Sequence, residues 1–180
     1  MSQRMMSLLE IHCEELEIYS IDEAFGRVRR PKHGDLQTWG RSLRARVRQE
    51  LGLPIAIGLG ASKSQAKLAN RLAKQVPAHA GIFDLGHGTD PDRWLETIAI
   101  EDVWGIGRKL ARWCRLRGVC NARLLRDMPS GELRAKCGVV GLRLQRELRG
   151  HACLPLALAP APKQETCVSL SLIHISEPTR

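Results

Sequence analysis

The residues best suited to chemistry are two adjacent carboxylates, Asp22-Glu23, which follow Glu17-Ile18-Tyr19-Ser20-Ile21 and lead into Ala24-Phe25-Gly26-Arg27-Val28. Up to Ile21, β-formers alternate with polar residues, the period-two pattern of a half-buried strand. Asp22 and Glu23 are poor β-formers flanked by good ones, so they are expected where the strand turns back on itself, with a return strand through Val28. Carboxylates side by side repel, and a rigid strand end that keeps them together usually has a cation for them to share. A solvated hairpin turn is the plainer reading of the same pair.

A second set is cationic. Ile55-Ala56-Ile57-Gly58-Leu59-Gly60 reads as a short apolar strand, and Gly60-Ala61-Ser62 turns it into a helix that Ser62 can cap. Lys63, Lys67 and Lys74 fall near one face of that helix, with Ala66, Ala69 and Ala73 opposite, a stripe that suits close packing on a sheet. A capped helix start with lysines in its first two turns can hold phosphate, because the helix dipole and the ammonium groups act together. The glycine spacing of a Walker loop is absent, and an ordinary solvated basic face would show the same lysines.

The third set is Val103-Trp104-Gly105-Ile106-Gly107-Arg108-Lys109-Leu110-Ala111, closed by Leu116 and Gly118-Val119. Two glycines around an isoleucine, then basic residues, is the helix-hairpin-helix pattern. Such glycines let the backbone turn tightly with its N–H groups outward, a small anion nest at a helix start. Contacts of that kind position a duplex backbone and carry no sequence information. A plain tight turn between helices is the competing reading.

Around these sets the elements follow from periodicity and punctuation. Met5, Leu9, His12 and Leu16 lie at helical spacing ahead of the acidic strand, and Arg29 to Gly34 reads as a loop. Asp35 can cap a helix carrying Leu36, Trp39, Leu43, Val47 and Leu51 on one face, stopped by Gly52 and Pro54. Gly81 to Leu85 is strand-like, Gly86-His87-Gly88 a loop, and Asp90-Pro91 opens a short helix. Helices are then expected over 121–128, 130–136 and 139–149, with Asn121 and Ser130 as caps and Gly138 and Gly150 as terminators. The prolines at 155, 160 and 162 make the following stretch a linker.

Composition points the same way. The formal net charge of +9 and pI near 9.7 suggest a polyanionic partner, while 4% aromatic content argues against reading bases mainly by stacking. The charge is blocked: residues 35–74 carry +6 and 101–150 carry +7, two surfaces for one polyanion. Six cysteines without a C-x-x-C pair disfavour a zinc site and fit free thiols in a reducing cytoplasm. No apolar stretch approaches a membrane span, so a cytoplasmic protein is expected.

In their order, Glu17 to Phe25, Ile55 to Lys74, Val103 to Ala111 and Lys163-Gln164-Glu165 resemble the Y-family translesion DNA polymerases, nearer the bacterial polymerase V type than the polymerase IV type. The resemblance covers roughly residues 1–167. It implies an α+β fold: an incomplete palm over 1–76, an antiparallel sheet with packed helices; an all-helical thumb over 77–152 with the helix-hairpin-helix; and a tether over 153–168 toward a little-finger domain. It implies that Asp22 ligates Mg2+ with Glu23 as the neighbouring catalytic glutamate, that Lys67 contacts the triphosphate of the incoming nucleotide, and that Gly105, Ile106, Gly107, Arg108 and Lys109 track the duplex. Primer-template DNA and deoxynucleoside triphosphates are the implied substrates; the polymerase V accessory subunit, a recombinase filament and a sliding clamp are the implied partners, with no membrane. Members of the family begin with a strand bearing another metal-binding aspartate, Asp-x-Asn-x-Phe-Tyr, and with fingers; Met1 opens on a later helix, so an N-terminally truncated, inactive fragment with a sheet lacking its central strand is expected. Residues 169–180 depart from the pattern, resemble translated sequencing-adapter read-through, and are assigned no function. Two rivals are a non-catalytic helix-hairpin-helix DNA-binding module with a vestigial Asp22-Glu23 and, more weakly, a nuclease, which needs further convergent carboxylates.

Overall fold

The computed structural model describes residues 2–29, 35–86, 89–156 and 166–172. Helix α1 (Ser2–His12) leads into the hairpin β1 (Glu15–Ile18) and β2 (Glu23–Val28), which pair antiparallel with Ile18 opposite Ala24. Helix α2 (Leu36–Leu51) is capped by Asp35, which accepts from the Thr38 amide, and ends at Gly52 in the left-handed region. Strand β3 (Ile55–Gly60) and helix α3 (Lys63–Gln75) follow, with Ser62 accepting from the Gln65 amide as its cap. Strand β4 (Ile82–Asp84) then pairs parallel with β3.

The alternation within β3 decides which helix lies on which face. Ile55, Ile57 and Leu59 join Met5, Leu9, Leu43 and Val47 in a core under α1 and α2. On the other face stand Ala56, Gly58 and Gly60, and α3 sits so close that a Cβ at Gly58 would lie 2.0 Å from the Asn70 amide nitrogen. Small residues on both surfaces, with Ala66, Ala69 and Ala73 buried on α3, permit this approach. The Asn70 side chain donates to the Ala56 carbonyl at 2.9 Å and fixes the helix along the strand.

The helical part contains α4 (Pro91–Thr97, capped by Asp90), a 3-10 turn at Ile100–Asp102, α5 (Arg108–Arg115), α6 (Ala122–Asp127, capped by Asn121) and α7 (Ser130–Leu148). At Gly138 (φ 61°, ψ −147°) the backbone leaves helical geometry, so α7 is two helical segments joined at a kink, with Gly138 the separator expected between them. Ser130 does not cap: its hydroxyl donates to Gln145 Oε1 at 2.6 Å instead.

Three further expectations are revised. The sheet is mixed rather than antiparallel, and it runs past the expected domain change at 76–77, because β4 adds to it. The core on the α3 face is continuous with that of the helices, from Ala56, Leu68 and Phe83 through Leu95 and Ile100 to Leu125, Leu133 and Leu148. The central position of the sheet is filled: β5 (Thr166–Leu172) pairs antiparallel with both β2 and β3, giving the order β1-β2-β5-β3-β4. Residues 166–172 are therefore neither linker nor outside the fold. Thr166-Cys167-Val168-Ser169-Leu170-Ser171-Leu172 alternates with period two, and it satisfies the facing backbone edges of β2 and β3 together. The expected Lys163-Gln164-Glu165 motif and the remainder of the tail, 173–180, lie outside the described residues, as do His87 and Gly88 and most of the loop after Arg29.

Candidate active site

Asp22 lies in the turn between β1 and β2, and Glu23 is the first residue of β2. The turn is tight because the amides of Tyr19 and Ser20 both donate to the Glu23 carbonyl at 3.0 Å. Ser20 Oγ donates to Asp22 Oδ1 at 2.7 Å and orients that carboxylate. The geometry thus delivers the two carboxylates together on one rigid strand end, half-exposed.

Helix α3 supplies the cation. Lys67 Nζ bonds Glu23 Oε2 at 2.7 Å and lies 4.9 Å from the centre of the Tyr19 ring. Glu23, Lys67, Leu68, Asn70, Arg71, Lys74, Asp102 and Trp104 wall a cleft of about 250 Å³ between α3 and the helical part. Lys74 sits on this wall with its pKa lowered, chiefly by desolvation; the neighbouring Lys67 charge adds to the lowering, while Glu23 and Asp22 oppose it.

The three expected lysines do not act alike. Lys63 is buried and turned inward, bonded to Glu17 Oε2 and donating to the Pro155 carbonyl at 2.9 Å. Nor is the start of α3 open to phosphate: the Glu147 carboxylate accepts from the Ser64 amide at 3.0 Å there, so an internal anion already uses the helix dipole. Only Lys67 and Lys74, farther along the helix, face the cleft.

The sequence motif at 103–111 lies across from the carboxylates. Gly105 has φ +89° and Gly107 is the extended residue before α5, so the glycines form a turn and not a helix. Ile106 is buried and locks the loop, whereas Arg108 and Lys109 are exposed at the start of α5. What precedes the turn is the short 3-10 segment at Ile100–Asp102 rather than an α-helix. Trp104 packs against Tyr19 and Phe25 with ring centres 5.8 and 5.6 Å apart, and its Nε1 donates to Tyr19 Oη at 3.3 Å. Asp102 pairs with Arg71 at 2.6 Å.

Arg71, Asp102 and Trp104 are cleft residues to which the sequence reading gave no role, and Tyr19 packs on Trp104 behind them. Arg71 was findable, four residues beyond Lys67 on the same helical face; the reach of Trp104 back to residue 19 had no local signal.

The donor set fits magnesium in kind, being two hard carboxylates beside solvent. It is short in number: no group of three or more His, Cys, Asp or Glu placed to hold a metal occurs among the described residues.

The impB/mucB/samB family profile matches residues 1–71, the stretch that carries Asp22, Glu23 and Lys67. Over those residues the chain resembles the impB/mucB/samB family. It is 38% identical over 170 residues to the protein UmuC of Salmonella typhimurium, covering 93% of this chain and 40% of that protein. It is 33% identical over 156 residues to a DNA polymerase IV of Corynebacterium diphtheriae, covering 83% of this chain and 33% of the relative. The chain therefore spans about two fifths or less of these family relatives. In fold it resembles the crystal structure of DinB from Sulfolobus solfataricus, with a TM-score of 0.67 at 23% identity over 86% of this chain and 45% of that one. No helix among the described residues is long and apolar enough to cross a membrane.

Proposed function

We propose that this chain is the palm-and-thumb portion of an error-prone translesion DNA polymerase that acts in the cytoplasm in DNA repair and SOS mutagenesis. The observation that carries the reading is the cleft in which Glu23, next to Asp22 at the strand end, and Lys67, from α3, meet beside Trp104, which leads into the basic turn at Gly105 to Lys109. Carboxylates at a strand end beside a cationic helix are what nucleotidyl transfer to a primer needs.

Asp22 and Glu23 are the residues that would hold Mg2+, which when bound would align the primer 3′ hydroxyl and neutralise charge on the leaving pyrophosphate. Ser20 holds the Asp22 carboxylate in place within the turn. Lys67 neutralises Glu23; with a nucleotide present its ammonium would contact the triphosphate, and Glu23 would be free to serve as a carboxylate ligand. Arg71 and Lys74 extend the positive wall that attracts the polyphosphate. Gly105, Ile106 and Gly107, with Arg108 and Lys109 at the start of α5, form the thumb's helix-hairpin-helix turn and grip the duplex backbone. Two carboxylates alone do not enclose the catalytic cations, so the chain on its own binds DNA without extending it. An accessory subunit of the polymerase V kind, a recombinase filament and a sliding clamp complete the proposed partner set.

A non-catalytic DNA-binding module is the second reading, favoured by the closed Glu23–Lys67 pair, which leaves Glu23 already neutralised. A nuclease is disfavoured, since Asp102, the other carboxylate on the cleft wall, is paired with Arg71.

The DNA part is tested by duplex binding in a salt titration. Affinity should be sequence-independent and fall steeply as salt rises, because each phosphate contact releases counterions. Replacing Arg108 and Lys109 with alanine should weaken all sequences alike and reduce the log–log slope by about 2. Salt-insensitive or single-sequence binding would contradict the assignment.

A further inference from the structure

The last turn of α7 carries Glu147, a wholly buried carboxylate. Its two oxygens are used by three backbone amides from two segments, the distant start of α3 and the stretch just after α7. Oε2 accepts from Ser64 at the start of α3 at 3.0 Å, and Oε1 accepts from Cys153 at 2.6 Å and Leu154 at 3.0 Å. The backbone around Glu147 repeats the connection: Ser62 Oγ donates to the Glu147 carbonyl at 2.7 Å, and Gln65 Nε2 donates to the Leu148 carbonyl at 3.2 Å. One residue further along the exit, Lys63 Nζ donates to the Pro155 carbonyl while bonded to Glu17 of β1. Lys63 is itself buried, with Nζ 5.2 Å from the centre of the Phe25 ring.

We propose that Glu147 and Lys63 are positioning residues forming a two-point clasp that fixes the end of the helical part, and the path of residues 153–155, against the start of α3. The proline-rich stretch expected as a free linker thus begins with an anchored exit. Residues 153–155 are thereby held beside the start of α3 and Glu17 of β1. The chemistry favours this role over general packing. A buried carboxylate is costly unless its lone pairs are filled, and backbone amides can fill them only when all three segments stand in place. The clasp is therefore all-or-none: moving α7, α3 or residues 153–154 strands a charge. The dipole of α3 favours the carboxylate at its N-terminus, and the ammonium beside Glu17 holds the next carbonyl.

Amide hydrogen exchange of the 180-residue chain, read residue by residue without DNA, tests the clasp independently of the polymerase reading. In the unaltered chain the amides of Ser64, Cys153 and Leu154 should be protected at least tenfold beyond a free chain. In Glu147→Gln the carboxamide has one acceptor oxygen, which should stay with Cys153 and Leu154. Ser64 should then exchange about tenfold or more faster while the Ile57 amide of β3 is unchanged. Glu147→Ala should free all three; should it also expose Ile57, the glutamine variant decides. Exchange of Cys153 and Leu154 at free-chain rates in the unaltered protein, or equal protection at all three amides in Glu147→Gln, would overturn the clasp.

Discussion

At the scale of single residues, the lysine at position 67 separates electrostatic function from stability. Its pair with Glu23 is partly open to water, with side-chain exposures of 18% and 25%. Such a pair contributes only about 1 kcal/mol or less to folding. Its proposed contact with a triphosphate is charge-assisted and worth about 1.5–3 kcal/mol. Lys67→Met should therefore weaken binding of a magnesium-bound deoxynucleotide by about tenfold or more while shifting the urea midpoint little. Equal nucleotide affinity in competition binding would remove Lys67 from the site. Lys63 was expected on the same face and does something else, because its stem starts one turn earlier, where α3 faces Glu17 and residue 155. Helical spacing placed both lysines near one face; it could not say which neighbours the end of each chain meets.

At the scale of elements, the contact of α3 with β3 is the tightest joint, and it rests on glycine. A methyl group at Gly58 would meet the Asn70 amide nitrogen at 2.0 Å and the Ala66 carbonyl at 2.3 Å, both backbone atoms that cannot rotate away. Gly58→Ala should cost about 3 kcal/mol in urea unfolding, since the helix must lift off the strand. A cost below about 1 kcal/mol would show that α3 is not seated so closely. The joint of α4 with α6 adds an ion pair to its apolar contact: Arg126 bonds Asp92 of α4 at 2.5 Å and, within α6, Asp127 at 2.7 Å. Hydrogen bonding to Arg126 is the largest cause holding both carboxyls below their usual range. A depressed carboxyl pKa stabilises the fold above the unfolded value, about pH 4, and that contribution is lost as pH falls through the folded value. Arg126→Met should therefore lower the denaturation midpoint at pH 7, and its difference from the unaltered chain should shrink as pH falls from 4 toward 3. A difference independent of pH would assign the loss to packing instead. Most elements were legible, and the caps at Asp35, Ser62, Asp90 and Asn121 all act as expected; β5, in a stretch expected as tether and tail, was not. Ser130 failed as a cap because a tertiary partner, Gln145, competes for its hydroxyl.

At the scale of the whole molecule, the sheet and the helical part share one apolar core and three polar joints, at Arg71–Asp102, Trp104–Tyr19 and Glu147. None of these joints was legible in the sequence, because each links residues separated by 31 to 85 positions and no local period records such a pairing. The acidic hairpin, the cationic helix and the glycine turn were legible, since each is specified within about twenty residues. The fold adds the cleft in which Glu23, Lys67 and Trp104, one from each set, stand together, and on it rests the central claim, that Asp22 belongs to a nucleotidyl-transfer site. The most direct measurement is primer extension with magnesium and four deoxynucleotides by a chimera in which this chain replaces the matching stretch of the Corynebacterium diphtheriae DNA polymerase IV. The chimera should extend the primer, Asp22→Ala in it should reduce extension about a hundredfold or more without reducing duplex binding, and the 180-residue chain alone should bind the duplex and leave the primer unextended. Full extension by the Asp22→Ala chimera, or extension by the chain alone, would contradict the account.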